Sequence, residues 1–498
     1  MTGGGGMGID MDKKVFNILL LTNLDSDNCG DQVMEVCDIA LLRTIMQNLG
    51  VPEDEYKINS RAASIVTRKY IETGDEALLK NPRKVISDND VVVFGGAPMF
   101  NYLYQIFYLR TAKTVDLAKE AGVPVLFSAI GIEVFDPENP KCQFLTEHVN
   151  QDNVKLITTR DDFESLKLIK QREDLTIGKV ADPAVFSKTV FQNFLVPKEE
   201  GAKKKIGLFL LRGNGFVDNK IDFSRDQAAE YWKDLTEELE SRGYEVKLLT
   251  NGHFGDEAFM DYFWRKYSYP IGKFIFNVND PETLVENISS FDAVVSCRLH
   301  PSIISFALDI PSLGVRWNGK VDGFYESMGY ADRVIDPTTV SAVETADRLE
   351  QILAEGVKKD EEYLASVYRY LFGAIRDVLG IPADSVECWD YDQICEHIPA
   401  FVGTTDAHKA AKLARKFRRS YMNYNKRGDL LNETKAELSE ETKQRKALEK
   451  RVEQLEQSVE NWKAAVDKIH ASKSYRLGHA IMKVPIEVKK AVSGKDKE

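Results

Sequence analysis

The stretch VVSCRLHPSIISFALDIPSLGV, residues 294–315, predicts one strand–helix–strand unit. An apolar strand at Ala293–Ser296 is followed by Pro301, a residue type favoured in the first turn of a helix. A second apolar strand, Ser312–Val315, comes soon after the helical segment. Strands that are apolar along their whole length and separated by helices indicate a parallel sheet with helices on both faces.

Two basic side chains lie at the junction between this strand and its helix. Arg298 and His300 stand between apolar segments, where a cation is costly unless an anion meets it. A guanidinium can hold a carboxylate or phosphate with two hydrogen bonds, and a histidine can transfer a proton near neutral pH. The same residues are also accounted for without a ligand if Arg298 pairs with an acidic side chain and His300 caps a turn.

The alternation of strands and helices extends over most of the chain. The predicted strands are Phe16–Leu21, Val91–Phe94, Val123–Phe127, Leu156–Thr159, Ile206–Leu211, Val246–Leu249, Ala293–Ser296 and Ser312–Val315. The segment Leu195–Lys205 contains Pro197, Gly201 and several lysines, and it predicts a linker between two similar halves, 14–195 and 204–335. We therefore expect an α/β protein with two Rossmann-like domains that face each other across a cleft.

Length and composition exclude several classes of protein. A chain of 498 residues is too long for one ordinary core, and its net charge of −12 argues against general nucleic-acid binding. Six cysteines without a CxxC pair indicate a reducing compartment and neither a disulfide framework nor a structural zinc site. No apolar stretch reaches membrane-spanning length, so we expect a cytoplasmic protein, or one attached to a membrane only at its surface.

The chain changes character from Ala410 onward, where charge dominates and glycine almost disappears. After a helical connecting region, 336–424, apolar residues recur at alternating spacings of four and three: Leu448, Val452, Leu455, Val459, Trp462, Val466 and Ile469. This heptad pattern predicts a coiled coil over 425–471 and a homo-oligomer, with polar Glu441 and Arg445 interrupting the seam. The alternative is one solvated helix packed on the globular part.

The last segment, 472–498, is basic and amphipathic through most of its length. Such a helix can lie on an anionic membrane surface, which predicts a possible peripheral contact with a membrane. The alternative is a frayed terminus.

Glycines and charged residues repeatedly follow the predicted strands. These segments are Asn28–Asp31, Gly95-Gly96, 129–133, Thr159–Asp161, Arg212 and 250–256. Because ligand sites of open parallel sheets collect at the carboxyl ends of the strands, their repetition there predicts a binding cleft. Taken singly, each has a structural explanation: Asp31 can cap a helix, and paired glycines can form a plain turn.

The stretch that opened this section resembles the polysaccharide pyruvyl transferase family. The family pattern S-x-R-L-H-x-x-I, followed by I-P and a lysine, is matched by Ser296, Arg298, Leu299, His300, Ile303, Ile310-Pro311 and Lys320. An N-x-G-D loop at 28–31, an Arg-Asp pair at 160–161 and an Asp-Pro-Ala tripeptide at 182–184 match in the same order along the chain. The resemblance covers about residues 15–335.

This resemblance implies a glycosyltransferase-B-like fold and an enzyme that converts the pyruvyl group of phosphoenolpyruvate into a ketal on a sugar. The acceptor would be a glycan or a lipid-linked glycan. The implied catalytic residues are His300 and Arg298. The implied substrate-binding residues are Arg212, Lys320, Asn28, Asp31, Gly95, Gly96, Arg160 and Ser296. Arginines and helix N-termini can hold a small trianion electrostatically, so we expect neither a metal nor a cofactor beyond the donor.

Two other functions remain open at the level of sequence. A nucleotide-sugar glycosyltransferase of the same architecture would need an acidic residue at the donor ribose, and none is identified near 298–320. A non-catalytic scaffold could retain the fold and use the coiled coil for assembly; only turnover separates it from an enzyme.

Overall fold

The computed structural model of the chain describes residues 15–103, 106–199, 201–276 and 278–493. The predicted domain start at residue 14, residue 200 of the predicted linker and residues 494–498 of the predicted tail lie outside these ranges. The chain divides into one compact unit that ends at Lys416 and a second unit that begins at Phe417.

The first half contains a parallel six-stranded sheet. Its strands are β1 (Phe16–Thr22), β2 (Tyr56–Ala62), β3 (Val91–Gly95), β4 (Val125–Ile130), β5 (Val154–Thr159) and β6 (Thr176–Lys179), in the order β2-β1-β3-β4-β5-β6. Its helices are α1 (Cys29–Asn48), α2 (Arg68–Thr73), α3 (Lys80–Ser87), α4 (Phe107–Ala121), α5 (Pro140–Val149), α6 (Phe163–Ile169) and α7 (Ser187–Val190). Strands β3 and β4 are buried at every residue, as expected for a sheet covered on both faces.

The second half repeats this architecture. Its strands are β7 (Lys205–Phe209), β8 (Glu245–Leu249), β9 (Phe274–Ile275), β10 (Ala293–Ser296), β11 (Ser312–Val315) and β12 (Val334–Ile335), in the order β12-β11-β10-β7-β8-β9. Its helices are α8 (Gly215–Asp218), α9 (Arg225–Ser241), α10 (Phe254–Tyr267), α11 (Pro281–Ser289), α12 (Leu299–Ala307) and α13 (Gly319–Ser327). The expected two-sheet α/β architecture is therefore confirmed.

The chain then returns to the first half. The helices after β12 are α14 (Ala342–Glu355), α15 (Glu361–Leu364), α16 (Ser366–Val378), α17 (Tyr391–His397), α18 (Asp406–Ala471) and α19 (Lys473–Ser493). Helix α16 contacts α1, β4 and β5 through an apolar face that includes Leu371 and Ile375. The C-terminal helices thus complete the core of a sheet formed much earlier in the chain.

Each sheet has one point where the order of its strands reverses. In the first sheet this point lies beside β1, which has β2 on one side and β3 on the other; in the second it lies beside β7, between β8 and β10. Such switch points leave a crevice at the carboxyl ends of the strands. Asn28 and Asp31 follow β1, Arg212 follows β7, and Arg298 and His300 follow β10. The fold therefore brings these predicted residues to the crevices.

The second unit consists of helix. Along α18, the apolar residues at heptad spacing are all exposed in the single chain, from 42% for Val466 to 73% for Trp462. The C-terminal region is helical as expected, whereas the coiled coil itself stays a prediction. Among the described residues, no helix combines the length and the apolar character needed to cross a bilayer.

Candidate active site

The loops that follow β1 and β8 interlock where the two halves meet. Asn28 caps α1, and its Oδ1 accepts hydrogen bonds from the Gly30 backbone N–H at 3.0 Å and from Asn251 Nδ2 at 2.7 Å. The Cys29 backbone N–H donates to the carbonyl oxygen of Asn251 at 2.8 Å. The N-terminus of α1 is thus fastened to the opposite half.

His300 packs directly against this helix end. A Cβ on Gly30 would lie 2.3 Å from the Cβ of His300, so only glycine admits the imidazole here. His300 is buried, with Nδ1 3.8 Å from Asp31 Oδ1. The Asp31 carboxylate accepts hydrogen bonds from Asn23 Nδ2 at 2.7 Å and from Asn28 Nδ2 at 3.3 Å. Among the described residues, the buried Nε2 of His300 has no hydrogen-bond partner.

The surroundings of His300 favour its neutral form. Burial lowers the pKa of the imidazole below its usual value, and the carboxylates of Asp182 and Asp31 raise it again only in part. The positive charges of Arg160 and Lys320 act in the same direction as burial. The buried imidazole is therefore mainly neutral at neutral pH.

Arg298 is held by a fully buried carboxylate. Its Nε and Nη2 donate to Asp256 Oδ2 and Oδ1, each at 2.7 Å, and the guanidinium carbon lies 5.2 Å from the ring centroid of Trp317. Ser296 Oγ accepts from the Arg298 backbone N–H at 2.9 Å and donates to the Arg298 carbonyl oxygen at 2.8 Å. Ser296 thus shapes the turn that carries Arg298, and its own side chain is buried.

Asp256 lies in the first turn of α10 and remains ionised despite its burial. Burial alone would raise its pKa, but the charge of Arg298 and hydrogen bonds from His253 and Arg298 outweigh burial and lower the pKa to about 2. The backbone N–H of Arg212 also donates to Asp256 Oδ1, at 2.9 Å. One buried carboxylate therefore links the loops after β7, β8 and β10.

A second buried ion pair approaches His300 from the first half. Arg160 donates through Nη1 to Asp182 Oδ2 and, at 2.9 Å, to the sulfur of Met34. The other oxygen of Asp182 accepts from the Ala184 backbone N–H at 2.8 Å. Within the described part of the chain, the buried Nε of Arg160 has no hydrogen-bond partner. Carboxylates of the first half and cations of both halves therefore act on one histidine.

The polysaccharide pyruvyl transferase family model matches residues 28–319, which is more than half of the chain and begins at Asn28. The chain belongs to the polysaccharide pyruvyl transferase family. The matched span includes Arg160, Arg298 and His300. Comparison with curated protein sequences gives no match.

Several solved structures of low sequence identity are similar to this chain. A putative UDP-N-acetylglucosamine 2-epimerase from Listeria monocytogenes aligns with a TM-score of 0.50 at 9% identity, covering 78% of this chain and 100% of its own. The UDP-GlcNAc 2-epimerase of Methanocaldococcus jannaschii gives 0.44 at 13% identity, covering 72% and 99%. The ADP-heptose LPS heptosyltransferase II of E. coli gives 0.37 at 14% identity, covering 68% and 99%. The Listeria structure supports the two-domain fold of this pyruvyl transferase family member and carries no information on its substrate.

Two predicted residues, Gly95 and Gly96, have a packing role in the structure. A Cβ on Gly95 would lie 2.3 Å from Asp38 Oδ2, and one on Gly96 would lie 2.0 Å from the sulfur of Met34. Gly96 also has a φ of +52°, a conformation that favours glycine. Side chains of α1 fill the space beside both Cα atoms, which explains the glycines by packing, and their substrate-binding role stays a prediction.

The remaining predicted residues, Arg212 and Lys320, lie at the edge of the candidate active site. The Arg212 side chain is half-buried and its Nη2 donates to Asp218 Oδ2 at 2.8 Å. Lys320 lies in the first turn of α13, where its backbone N–H donates to the cap residue Asn318 at 3.2 Å, and its charge acts on His300. The two side chains therefore belong to the surroundings of Arg298 and His300 without touching either in the structure.

Three residues of the site were not predicted from the sequence. Asp256 and Asn251 belong to the polar segment TNGHFGD, residues 250–256, whose position after a strand was the available signal. Trp317 follows β11 and carried no such signal, because a single tryptophan after a strand is usually a core residue.

Proposed function

We propose that this protein transfers the pyruvyl group of phosphoenolpyruvate to two hydroxyls of one sugar, forming a cyclic ketal on a cell-surface polysaccharide or its lipid-linked precursor. The observation that carries the proposal is the buried His300, whose Nε2 has no partner among the described residues and whose charge is influenced by Asp31, Asp182 and Arg160 of the first half and by Lys320 of the second. Membership of the pyruvyl transferase family supports the reaction class.

The reaction needs one proton delivered to carbon and two carbon–oxygen bonds formed. The methylene carbon of the enol phosphate gains a proton and becomes a methyl group, while the first sugar hydroxyl attacks the neighbouring carbon. The second hydroxyl then replaces the phosphate on that carbon. Of the two hydroxyl protons, one balances the proton added to the methylene carbon and the other leaves with inorganic phosphate. The reaction involves no change of oxidation state, so it needs no oxidant or reductant.

His300 is the group that we assign to the proton on carbon. The imidazole is mainly neutral before the donor binds, because burial lowers its pKa. A trianionic donor bound beside it favours the charged form, so the imidazole would gain a proton as the donor arrives. A general acid of this kind typically contributes about 10²–10⁴-fold to the rate. Asp31, 3.8 Å from Nδ1, would stabilise the resulting imidazolium.

The cations around His300 would hold the donor. Arg298 uses Nε and Nη2 for Asp256, and we assign its Nη1 to the phosphate or carboxylate of phosphoenolpyruvate. Arg160, Lys320 and Arg212 would add to the positive potential on different sides of the donor. Ion pairs keep the three arginines in place before the donor binds, which lowers the cost of reorganisation.

We also propose that the protein is a homo-oligomer that works on the cytoplasmic face of the plasma membrane. The exposed heptad residues of α18 would form a coiled coil with a second copy, and the basic helix α19 would contact anionic lipids. Val452, Val459 and Val466 occupy one seam position and Leu448 and Leu455 the other, a pattern that favours a parallel dimer.

Turnover tests this function directly. The purified full-length protein is incubated with phosphoenolpyruvate and a glycolipid fraction, and phosphate release is followed together with the mass increase of one pyruvyl ketal on the glycan. The His300→Ala variant serves as the matched control. Transfer by the wild type and its loss in the variant support the proposal, whereas release of neither product by the wild type favours a scaffold. We expect a chelator to leave the rate unchanged.

A further inference from the structure

The first turns of α18 lie against both halves of the compact unit, beside the candidate active site. Lys409, Lys412 and Lys416 are spaced by three and four residues, which places them on one face of the helix. All three make polar contacts with residues far away in the sequence. The compact unit ends at Lys416, so these contacts belong entirely to it.

Lys412 contacts the first half. Its Nζ donates to Gln32 Oε1 at 2.5 Å, and Gln32 Nε2 donates in turn to the carbonyl oxygen of Ser26 at 3.0 Å. The side chain of Lys412 is partly buried, and this burial lowers its pKa below the usual value. Gln32 is the neighbour of Asp31, the carboxylate that faces His300.

Lys416 contacts the second half. Its Nζ lies 2.8 Å from Glu257 Oε1 and 2.9 Å from Asn279 Oδ1. Its side chain is only 15% exposed, and that of Glu257 only 19%, so solvent screens this ion pair much less than a surface pair. Glu257 is the neighbour of Asp256, the carboxylate that holds Arg298.

An anchor one turn earlier keeps the helix in this position. Glu282, which is nearly fully buried, accepts hydrogen bonds from the Thr404 backbone N–H and hydroxyl, each at 2.9 Å. Lys409 Nζ lies 2.9 Å from the same carboxylate. The start of α18 is therefore fixed to the second half at two places, and Lys412 extends from it to the first half.

We propose that Lys412 and Lys416 are positioning residues that hold the two halves of the active site in register. Lys412 acts through Gln32 on the helix end that carries Asp31, and Lys416 acts through Glu257 on the helix end that carries Asp256. Together they set the distance between Asp31, which faces His300 from the first half, and the Asp256–Arg298 pair of the second half. The effect on turnover rests on the proposed function, whereas the effect on the two helix ends does not.

The test uses the full-length chain with both lysines changed, Lys412→Met and Lys416→Met. The matched control is Lys446→Met with Lys450→Met, two exposed lysines of the same helix in the second unit. Amide hydrogen exchange is followed at 28–33 and 254–258. We expect both segments to exchange at least about tenfold faster in the first variant and at the wild-type rate in the control. Unchanged exchange in the first variant would overturn the proposal.

The affinity for phosphoenolpyruvate distinguishes a positioning role of the lysines from a direct effect of charge on the donor. In a third variant, Glu257→Gln, the site loses a negative charge, so electrostatics alone predicts tighter binding of the anionic donor. Loss of the contact with Lys416 predicts weaker binding, and we expect the Kd in calorimetry to rise about tenfold. A Kd at or below that of the wild type refutes the positioning role. Lys416→Arg, which can still reach the carboxylate, is expected to bind like the wild type.

If the wild type binds the donor but shows no transfer, the proposed function fails, while hydrogen exchange still decides the role of the lysines.

Discussion

At the scale of the residue, His300 combines burial with a position between two carboxylates and two cations. Burial lowers its pKa, so the free protein holds it mainly neutral at neutral pH. A bound trianion raises the pKa again, and we expect phosphoenolpyruvate to bind with uptake of up to about one proton. Calorimetry at neutral pH in buffers of different ionisation enthalpy measures this uptake. His300→Gln should bind the donor with markedly less uptake; equal uptake in both proteins would mean that another group gains the proton.

Arg298 is held by contacts that only a guanidinium can make. It forms two parallel hydrogen bonds to Asp256 while its plane lies near Trp317. An ammonium cannot reproduce this fork, so we expect Arg298→Lys to weaken donor binding by about tenfold or more. Calorimetry with phosphoenolpyruvate checks this, with Arg212→Lys at the rim as the comparison. Unchanged affinity would assign Arg298 a structural role alone.

The pair of Asp256 and Arg298 also makes a prediction about stability. The pKa of Asp256 is lowered to about 2, below its value of about 3.9 in an unfolded chain. As the pH falls, the unfolded state takes up the proton first, so the stabilisation is fully present above about pH 4 and is lost as the pH approaches 2. We expect Asp256→Asn to lower the free energy of unfolding by about 3–5 kcal/mol at neutral pH, since it leaves a buried cation without its charge partner. Urea unfolding measures this loss. The difference in the free energy of unfolding between the variant and the wild type should shrink below about pH 4, and a difference independent of pH would contradict the ion-pair explanation.

The sequence located Arg298 and His300 but could not assign the partner of the arginine. Asp256 lies 42 residues earlier in the chain, and nothing local distinguishes it among 78 acidic residues. The alternative in which Arg298 pairs with an acid therefore stayed open beside the anion-binding role. The structure shows that pairing, and the bidentate contact still leaves one terminal nitrogen that we assign to the donor.

At the scale of the element, the success of strand prediction depended on the position of each strand in its sheet. All eight predicted strands correspond to inner strands of the two sheets. The unpredicted strands β2, β6, β9 and β12 are the four edges. An inner strand between two layers of helices is apolar throughout, whereas β2, YKINSRA, has no fully buried residue. The apolar pattern that reveals a buried strand is absent where a strand has one neighbour and partial exposure.

The glycines after β3 show that the role of a loop, like the position of an edge strand, is only partly predictable from the sequence. Paired glycines at the end of a parallel strand predict a close approach of the backbone to a ligand, and that role stays a prediction. In the structure, a Cβ at Gly95 or Gly96 would collide with a neighbouring side chain. The contacting side chains are Asp38 and Met34 of α1. A glycine pair in a sequence indicates a close contact, but it does not distinguish a ligand from a helix as the contacting group.

Helix α18 makes a prediction about self-association at this scale. Val459 lies in the centre of the heptad row and is 51% exposed in the single chain. A carboxylate in a coiled-coil seam faces its own copy in a parallel dimer, so we expect Val459→Glu to convert the oligomer to a monomer. Asn461→Glu, two residues away and outside the seam, is the matched control. Sedimentation of both variants gives their oligomeric states. If the two variants sediment identically, this seam is not the interface.

At the scale of the whole molecule, the two units allow catalysis to be separated from assembly. The compact unit ends at Lys416, and it includes both sheets, the candidate site and the lysines that fasten α18 to it. A chain truncated after Arg427 keeps all of these contacts and loses the heptad residues together with α19. We therefore expect the truncated protein to be a monomer that transfers pyruvyl groups to a soluble acceptor at the wild-type rate.

The same truncation should abolish binding to anionic vesicles. Each α19 carries Lys473, Arg476, Lys483 and Lys489, and a parallel coiled coil would hold two such basic helices side by side. Each basic residue near an anionic surface contributes about 1 kcal/mol, and tethering two helices raises the effective concentration of the second. Light scattering gives the oligomeric state, and flotation with vesicles that contain phosphatidylserine gives the binding. If the full-length protein is a monomer at micromolar concentration and still binds these vesicles, α19 acts alone and the argument from two tethered helices is wrong.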